Sequence, residues 1–226
     1  ANALGAIINA SRARIPILFS AGRTPLTEHE LRGARDVLIH WAQESFDQAG
    51  MLREFVKWDY ELRNPQQLET VVDRAMAVAM TEPRGPICLI LPREVLATPL
   101  SEFTFSSPSR QRPASPVLPD PGAIEEAAAI LADAKFPLII TQQLGRNVRA
   151  VPALAEFAER FAIPVVEMHP LYLNLPSDHP MHLGYNSAAY VGRADAVLVI
   201  ESDAPWFPAK FRPPDTAQVI QLGTDP

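Results

Sequence analysis

The sequence predicts an α/β protein made of two doubly wound parallel-sheet domains. Three observations lead there. Short apolar runs of strand length alternate with stretches of helical period, a proline-rich break interrupts the pattern, and the same alternation restarts beyond it. The length of 226 residues and a hydrophobic content of 47% suffice for one large or two modest cores.

The elements follow in order. Leu4, Ile7, Ile8 and Ser11 have helical spacing, so a helix is expected over about Ala3–Arg12, feeding a strand over Ile15–Ser20. A turn-rich segment, Ala21 to Gly33, then leads to His40-Trp41-Ala42-Gln43-Glu44-Ser45-Phe46-Asp47-Gln48. This block brings aromatic, amide and carboxylate groups together on a connection beyond a buried strand, as a binding site requires. A short helix near Phe46–Met51 and an alternating strand over Phe55–Tyr60 come next. Asn64-Pro65-Gln66-Gln67 is a helix start, with an Asn cap, Pro at the first helical position and Gln at the third. Leu68, Val71, Val72, Ala75, Met76 and Ala79 make one apolar face. Gly85-Pro86 introduces Ile87–Leu91, a continuous apolar strand of the kind covered on both faces.

The break runs from Thr98 to Pro121 and holds six prolines, at 99, 108, 113, 116, 119 and 121. It reads as an extended linker and divides the chain into residues 1–98, 99–120 and 121–226. Beyond it, Asp120-Pro121 caps a helix with Ile124, Ala127, Ala128 and Leu131 on one face. A strand Pro137–Thr141, a helix through Val151, Leu154, Phe157, Ala158 and Phe161, and a strand Ile163–Glu167 follow. A polar loop through Leu183-Gly184-Tyr185-Asn186 leads to strands Ala196–Glu201 and Gln218–Leu222. Ligands of such sheets bind beyond the strands' carboxyl ends, here Gln142–Arg146, His169–Leu175 and Ser202–Trp206.

Several function classes fall away. A net charge of −6, from 26 acids against 20 bases, with no basic stripe, argues against nucleic-acid binding. No apolar run reaches membrane-spanning length. The single cysteine, Cys88, lies inside an apolar run and reads as core rather than nucleophile; a lone thiol fits a reducing cytoplasm. A dinucleotide fingerprint would place G-x-G-x-x-G after the second half's first strand, but Thr141-Gln142-Gln143-Leu144-Gly145-Arg146 has one glycine. His179-Pro180-Met181-His182 has the spacing of a metal pair, but the proline and the loop context favour a solvated loop. For Trp206, beside Glu201-Ser202-Asp203, two readings stay open: a pocket wall, or a plug where a loop folds back on the sheet. The chain opens on Ala1-Asn2-Ala3-Leu4 and ends on Gly223-Thr224-Asp225-Pro226, and both ends look cut, as in a fragment of a longer polypeptide.

One family brings these pieces together. The segments Asn2 before a small-residue helix, Ile15-Pro16-Ile17-Leu18-Phe19-Ser20-Ala21-Gly22, Ala42-Gln43-Glu44, Lys57, and Gly85-Pro86-Ile87-Cys88-Leu89-Ile90-Leu91-Pro92-Arg93-Glu94-Val95 occur in a specific order and spacing. They resemble the later part of the pyrimidine-binding domain of thiamine-diphosphate enzymes, in the acetolactate synthase and benzaldehyde lyase group. The second half resembles that family's Rossmann-like central domain. The resemblance implies that the first domain is incomplete here.

It also implies roles. Asn2 matches an asparagine near the cofactor, and Gln43 a glutamine facing the reactive thiazolium and the substrate. Glu44 would stand at the pocket wall or a dimer contact, Trp41 and Phe46 would shape the cavity, and Lys57 would face the substrate channel. No catalytic residue is expected in this chain: the activating glutamate lies upstream of Ala1, and the Mg²⁺ and diphosphate anchors lie beyond Pro226. The implied enzyme takes a 2-oxo acid or related carbonyl donor, decarboxylates or cleaves it, and works as a homodimer or homotetramer with a site shared between subunits. The chain alone is then expected to be inactive, with little affinity for thiamine diphosphate. Where a flavin's phosphates would lie, the sequence carries Glu201 and Asp203, so FAD is not expected. The alternatives are a nucleotide-binding module using the strand ends of the second half, and a structural dimerisation unit.

Overall fold

The computed structural model describes residues 2–106 and 109–224; Ala1, Ser107, Pro108, Asp225 and Pro226, which include one proline of the expected linker, lie outside the described residues. The chain divides into two compact units, Ala1–Pro116 and Val117–Pro226.

In the first unit, helix α1 (Leu4–Arg12) leads into strand β1 (Leu18–Arg23), and α2 (Ile39–Ala42) follows a long connection. Strand β2 (Asp59–Glu61), helix α3 (Leu68–Met80), strand β3 (Ile87–Pro92) and the short α4 (Arg93–Ala97) complete it. The strands are parallel in the order β1-β3-β2. β3 sits in the middle and is buried along nearly its whole length, which explains its unbroken apolar sequence. One core cluster packs Leu62, Val71, Ala75 and Ala79 on Ile87 and Leu89. The other packs Ile7, Ala49 and Leu52 on Cys88 and Ile90. Cys88 is fully buried, and that burial pushes its thiol pKa up to about 11.

Three elements differ from the sequence expectation. The strand expected over Phe55–Tyr60 is confined to Asp59–Glu61, where the chain pairs with β3. β1 begins three residues later than Ile15, because Arg14 takes a left-handed backbone (φ 53°) and pairing with β3 starts at Leu18 opposite Ile87. The expected helix over Phe46–Met51 reduces to a single 3-10 turn, Ala49–Met51, and the helical turn forms earlier, as α2. Asn64 caps as expected: its side-chain oxygen accepts from the Gln67 amide at 3.1 Å, where a 3-10 turn runs into α3.

The second unit consists of α5 (Pro121–Asp133), β4 (Pro137–Thr141), α6 (Ala150–Phe161), β5 (Val165–Glu167), β6 (Ala196–Ile200) and β7 (Gln218–Leu222). The Asp120 carboxylate caps α5 through the Ala123 amide at 3.0 Å. The sheet is parallel in the order β5-β4-β6-β7, so the winding reverses between β4 and β6. One face carries Ile139, Val165, Leu198 and Ile200 beneath Leu154 and Ala158 of α6. The other face carries Ile140, Val166, Val197 and Val199, covered by Val191 and Ala194 with Trp206 and Phe211. Trp206 therefore serves as the plug. Among the described residues, β1 and β7 are each paired with a strand on one side only.

Candidate functional site

Because β1 and β3 run in parallel with Arg23 opposite Pro92, both discharge their chains at one edge of the first sheet. The connection after β1 and the block around Gln43 lie there, held by three charged side chains. Glu94, at the start of α4, is buried and accepts from the Leu26 amide (2.6 Å), the Thr27 amide (2.7 Å) and the Thr27 hydroxyl (2.8 Å). Burial alone would raise its pKa, but these hydrogen bonds outweigh it and hold the carboxyl below its ordinary value. Arg93 clamps Asp36 with two nitrogens, at 2.9 and 3.1 Å, and keeps that carboxyl pKa low. Arg35 donates to the Pro25 carbonyl at 2.9 Å and pairs with Glu44 at 2.6 Å. Its guanidinium also lies 5.4 Å from the centre of the Trp41 ring. Gly33 turns the connection with φ 91°, where a Cβ would meet the Arg93 carbonyl at 3.1 Å.

On this frame sits the block singled out in the sequence. Gln43 ends α2; its side chain is exposed and has no hydrogen-bond partner among the described residues. Trp41 is half exposed, with its ring nitrogen 3.4 Å from Glu28, and Phe46 is 99% exposed. Glu44 has its carboxylate on Arg35 rather than in open solvent. Gln48 ties the end of the block to the Gly22 carbonyl at 2.9 Å. Beside it a polar cleft of about 330 Å³ is lined by Arg23, Asp47, Arg53, Asp59 and Glu61. Arg23 pairs with Glu61 and Arg53 bridges Asp47 and Asp59, while Arg63 also lines the cleft.

Asn2 is exposed just before α1; Leu4, two residues on, packs in the cluster that holds Ala49 and Leu52. Lys57 stands apart. Its backbone amide bonds the Pro86 carbonyl ahead of β3, and its ammonium bonds the Val78 and Thr81 carbonyls at the end of α3. The length of β3 separates it from Arg93 and the block. The structure thus brings Trp41, Gln43, Glu44 and Phe46 together and leaves Lys57 at the other edge. Burial lowers the Lys57 pKa, and Glu82 opposes that shift. Arg35, Arg93 and Glu94 are site-forming residues that sequence reasoning did not single out for this role.

At the strand ends of the second unit the three expected loops do meet. Gln142 donates to the His169 carbonyl (3.3 Å) and accepts from the Asp203 amide (3.2 Å), while Gln143 N bonds Glu201 O (3.0 Å). Asn174, fully buried, accepts from the Gly145 amide at 2.9 Å and donates to Glu167 and to the Gln142 carbonyl at 2.9 and 3.1 Å. Gly145 is required by contact, since a Cβ there would lie 1.9 Å from the Leu173 carbonyl oxygen. The reading of His179–His182 as a solvated loop is corrected for His182. Its side chain is 5% exposed, Nε2 lies 3.0 Å from Glu167, and Nδ1 accepts from the Gly184 amide at 3.1 Å. The buried Glu167 carboxylate draws it inward as a donor. Among the described residues, no cluster of three or more His, Cys, Asp or Glu side chains could hold a metal. None of the described helices is long and apolar enough to cross a membrane.

Known proteins give this arrangement a context. Residues 124–226 match the family described as thiamine pyrophosphate enzyme, central domain. The chain is 29% identical over 216 residues to sulfoacetaldehyde acetyltransferase of Rhodobacter capsulatus, covering 90% of this chain and 36% of that protein. It is 27% identical over 230 residues to oxalyl-CoA decarboxylase of Escherichia coli, covering 100% of this chain and 39% of that one. In structure it is similar to benzoylformate decarboxylase of Polynucleobacter necessarius, with a TM-score of 0.79 and 25% identity over 100% of this chain and 42% of the other. The chain therefore spans less than half the length of these relatives.

Proposed function

We propose that this chain, whose residues 124–226 match the thiamine pyrophosphate enzyme central-domain family, is part of a thiamine-diphosphate-dependent enzyme acting on a small carbonyl substrate. The observation that carries the reading is the likeness along the whole chain, both units included, to decarboxylases of this kind. The reaction in the proposal is decarboxylation or cleavage of a 2-oxo acid or related donor, with transfer of the remaining fragment to an acceptor. Bound thiamine diphosphate supplies the electron sink for such chemistry, and the protein orients it and excludes water.

The chain's own residues fit the ring end of that cofactor. Gln43 and Asn2 are exposed neutral amides without partners among the described residues, suited to hydrogen-bond ring nitrogens or a substrate carbonyl. Trp41 and Phe46 supply exposed aromatic surface beside Gln43, able to wall off water once covered. Glu44 acts in this reading by holding Arg35, and Lys57, at the other sheet edge, takes no part. The Mg²⁺ and diphosphate contacts, and the activating acid, are assigned to residues outside this chain. A second subunit of a cytoplasmic homodimer or homotetramer completes the pocket. FAD stays outside the reading: the turn after β4 is packed against the Leu173 carbonyl and leaves little room for a phosphate.

Calorimetric titration with thiamine diphosphate and Mg²⁺ tests this. The full-length protein is expected to bind in the micromolar range, and the 226-residue chain alone only weakly. Gln43→Ala in the full-length protein should weaken binding by about fivefold, the order of one lost hydrogen bond. No heat of binding from the full-length protein, or tight binding by the chain alone, would count against the proposal.

A further inference from the structure

The side chain of Arg35 is only 6% exposed, and three separate groups take its guanidinium. Nε donates to the Pro25 carbonyl, Nη2 pairs with Glu44, and the planar group stands over Trp41. Trp41 and Glu44 flank Gln43, two residues before it and one after. α2 is only four residues long, too short to hold its own end in place by helical hydrogen bonds. Its end must be fixed from outside. The Arg35 amide also bonds the Thr27 carbonyl at 2.8 Å, and Thr27 is held by Glu94 at the exit of β3. An unbroken line of contacts therefore runs from the central strand through Arg35 to Trp41 and Glu44, which bracket Gln43.

We propose that Arg35 is a positioning residue for Gln43: it grips the residues on either side and fixes where the amide between them points. This rests on the reading that Gln43 faces the cofactor. A planar fork is needed for the grip, because one face stacks on Trp41 while separate edge nitrogens bond Pro25 and Glu44. A lysine, with a single point of charge, can keep the pairing with Glu44 but not the rest.

The test is a double-mutant cycle on thiamine diphosphate affinity, measured by calorimetry with Mg²⁺ in the full-length protein. Arg35→Lys is expected to weaken binding about threefold to fivefold when Gln43 is present, and by less than about twofold when Gln43 is already alanine. Its thermal midpoint should stay within a few degrees of the parent. Equal losses in both backgrounds, or no loss with Gln43 present, would overturn the role of Arg35. Undiminished binding by Gln43→Ala would overturn the reading beneath it, and the role of Arg35 with it. Should Arg35→Lys fail to fold, Glu44→Gln breaks the same grip from the other side, and the same cycle is read on it.

Discussion

Glu94 is a single carboxylate that organises a connection of more than a dozen residues, and its titration makes that work measurable. Its folded-state pKa lies below the ordinary carboxyl value of 4.5, because its hydrogen bonds to Leu26 and Thr27 outweigh its burial. A depressed folded pKa gives stability that is present above the unfolded value and lost as pH falls through the folded one. Urea midpoints of the chain should therefore drop below about pH 4.5 by a component that Glu94→Gln lacks. At neutral pH the same substitution should cost about 1–3 kcal/mol, because three hydrogen bonds to a charged Oε1 become bonds to a neutral amide oxygen and the amide NH2 takes the place of the buried, unpartnered Oε2. A midpoint for Glu94→Gln equal to the parent at pH 7 would count against this role. Residues of this kind were not legible in the sequence, since Glu94 meets Leu26 and Thr27 across 68 and 67 positions. Gln43 and Trp41 were legible as a block because their chemistry is concentrated locally. Nothing local marked Arg35 as the group that holds them.

At the level of elements, what could be read in advance was whatever is decided within one turn of chain. The caps at Asn64 and Asp120 form as their spacing implies, because capping involves only the next three residues. The shift of β1 could not be read, because it depends on the left-handed turn at Arg14 and on registration against β3. α2 escaped notice for a related reason: a four-residue helix has no period to detect and persists through tertiary contacts. The turn after β4 shows the same limit. A lone glycine suggested only a missing dinucleotide motif, whereas Gly145 is there to let the Leu173 carbonyl pass. Gly145→Ala should thus destabilise the chain by more than about 2 kcal/mol in chemical denaturation, because the obstacle is backbone and cannot rotate away. A loss under half that size would mean the loop slides aside and Asn174 releases the Gly145 amide.

For the molecule as a whole, each unit has two core clusters of its own, one on each side of its sheet. The proline-rich stretch expected as an extended linker bonds in part along the first unit: the Arg110 amide to Asp73, and the Ala114 amide to the Thr81 hydroxyl. The division between the two units falls after Pro116 in the chain. Composition marked the stretch, but side-chain acceptors on and just after α3 decide where it lies. Residues 117–226 expressed alone should then melt cooperatively with the circular dichroism of an α/β protein, as expected of a unit of about 110 residues with its own core. A disordered spectrum would show that this core depends on the first unit.

The unpaired sides of β1 and β7 have a practical consequence. β7 carries Val219 and Leu222, 49% and 39% exposed, on a strand whose outer hydrogen-bonding groups have no neighbouring strand among the described residues. Such an edge is a template on which another polypeptide can add a strand. Concentrated solutions of this chain should scatter light increasingly with time, through strand-to-strand growth rather than unfolding. A charged residue at position 219, which is exposed, would then extend shelf life without raising the melting temperature, and colloidal behaviour would set the concentrations at which this chain can be handled.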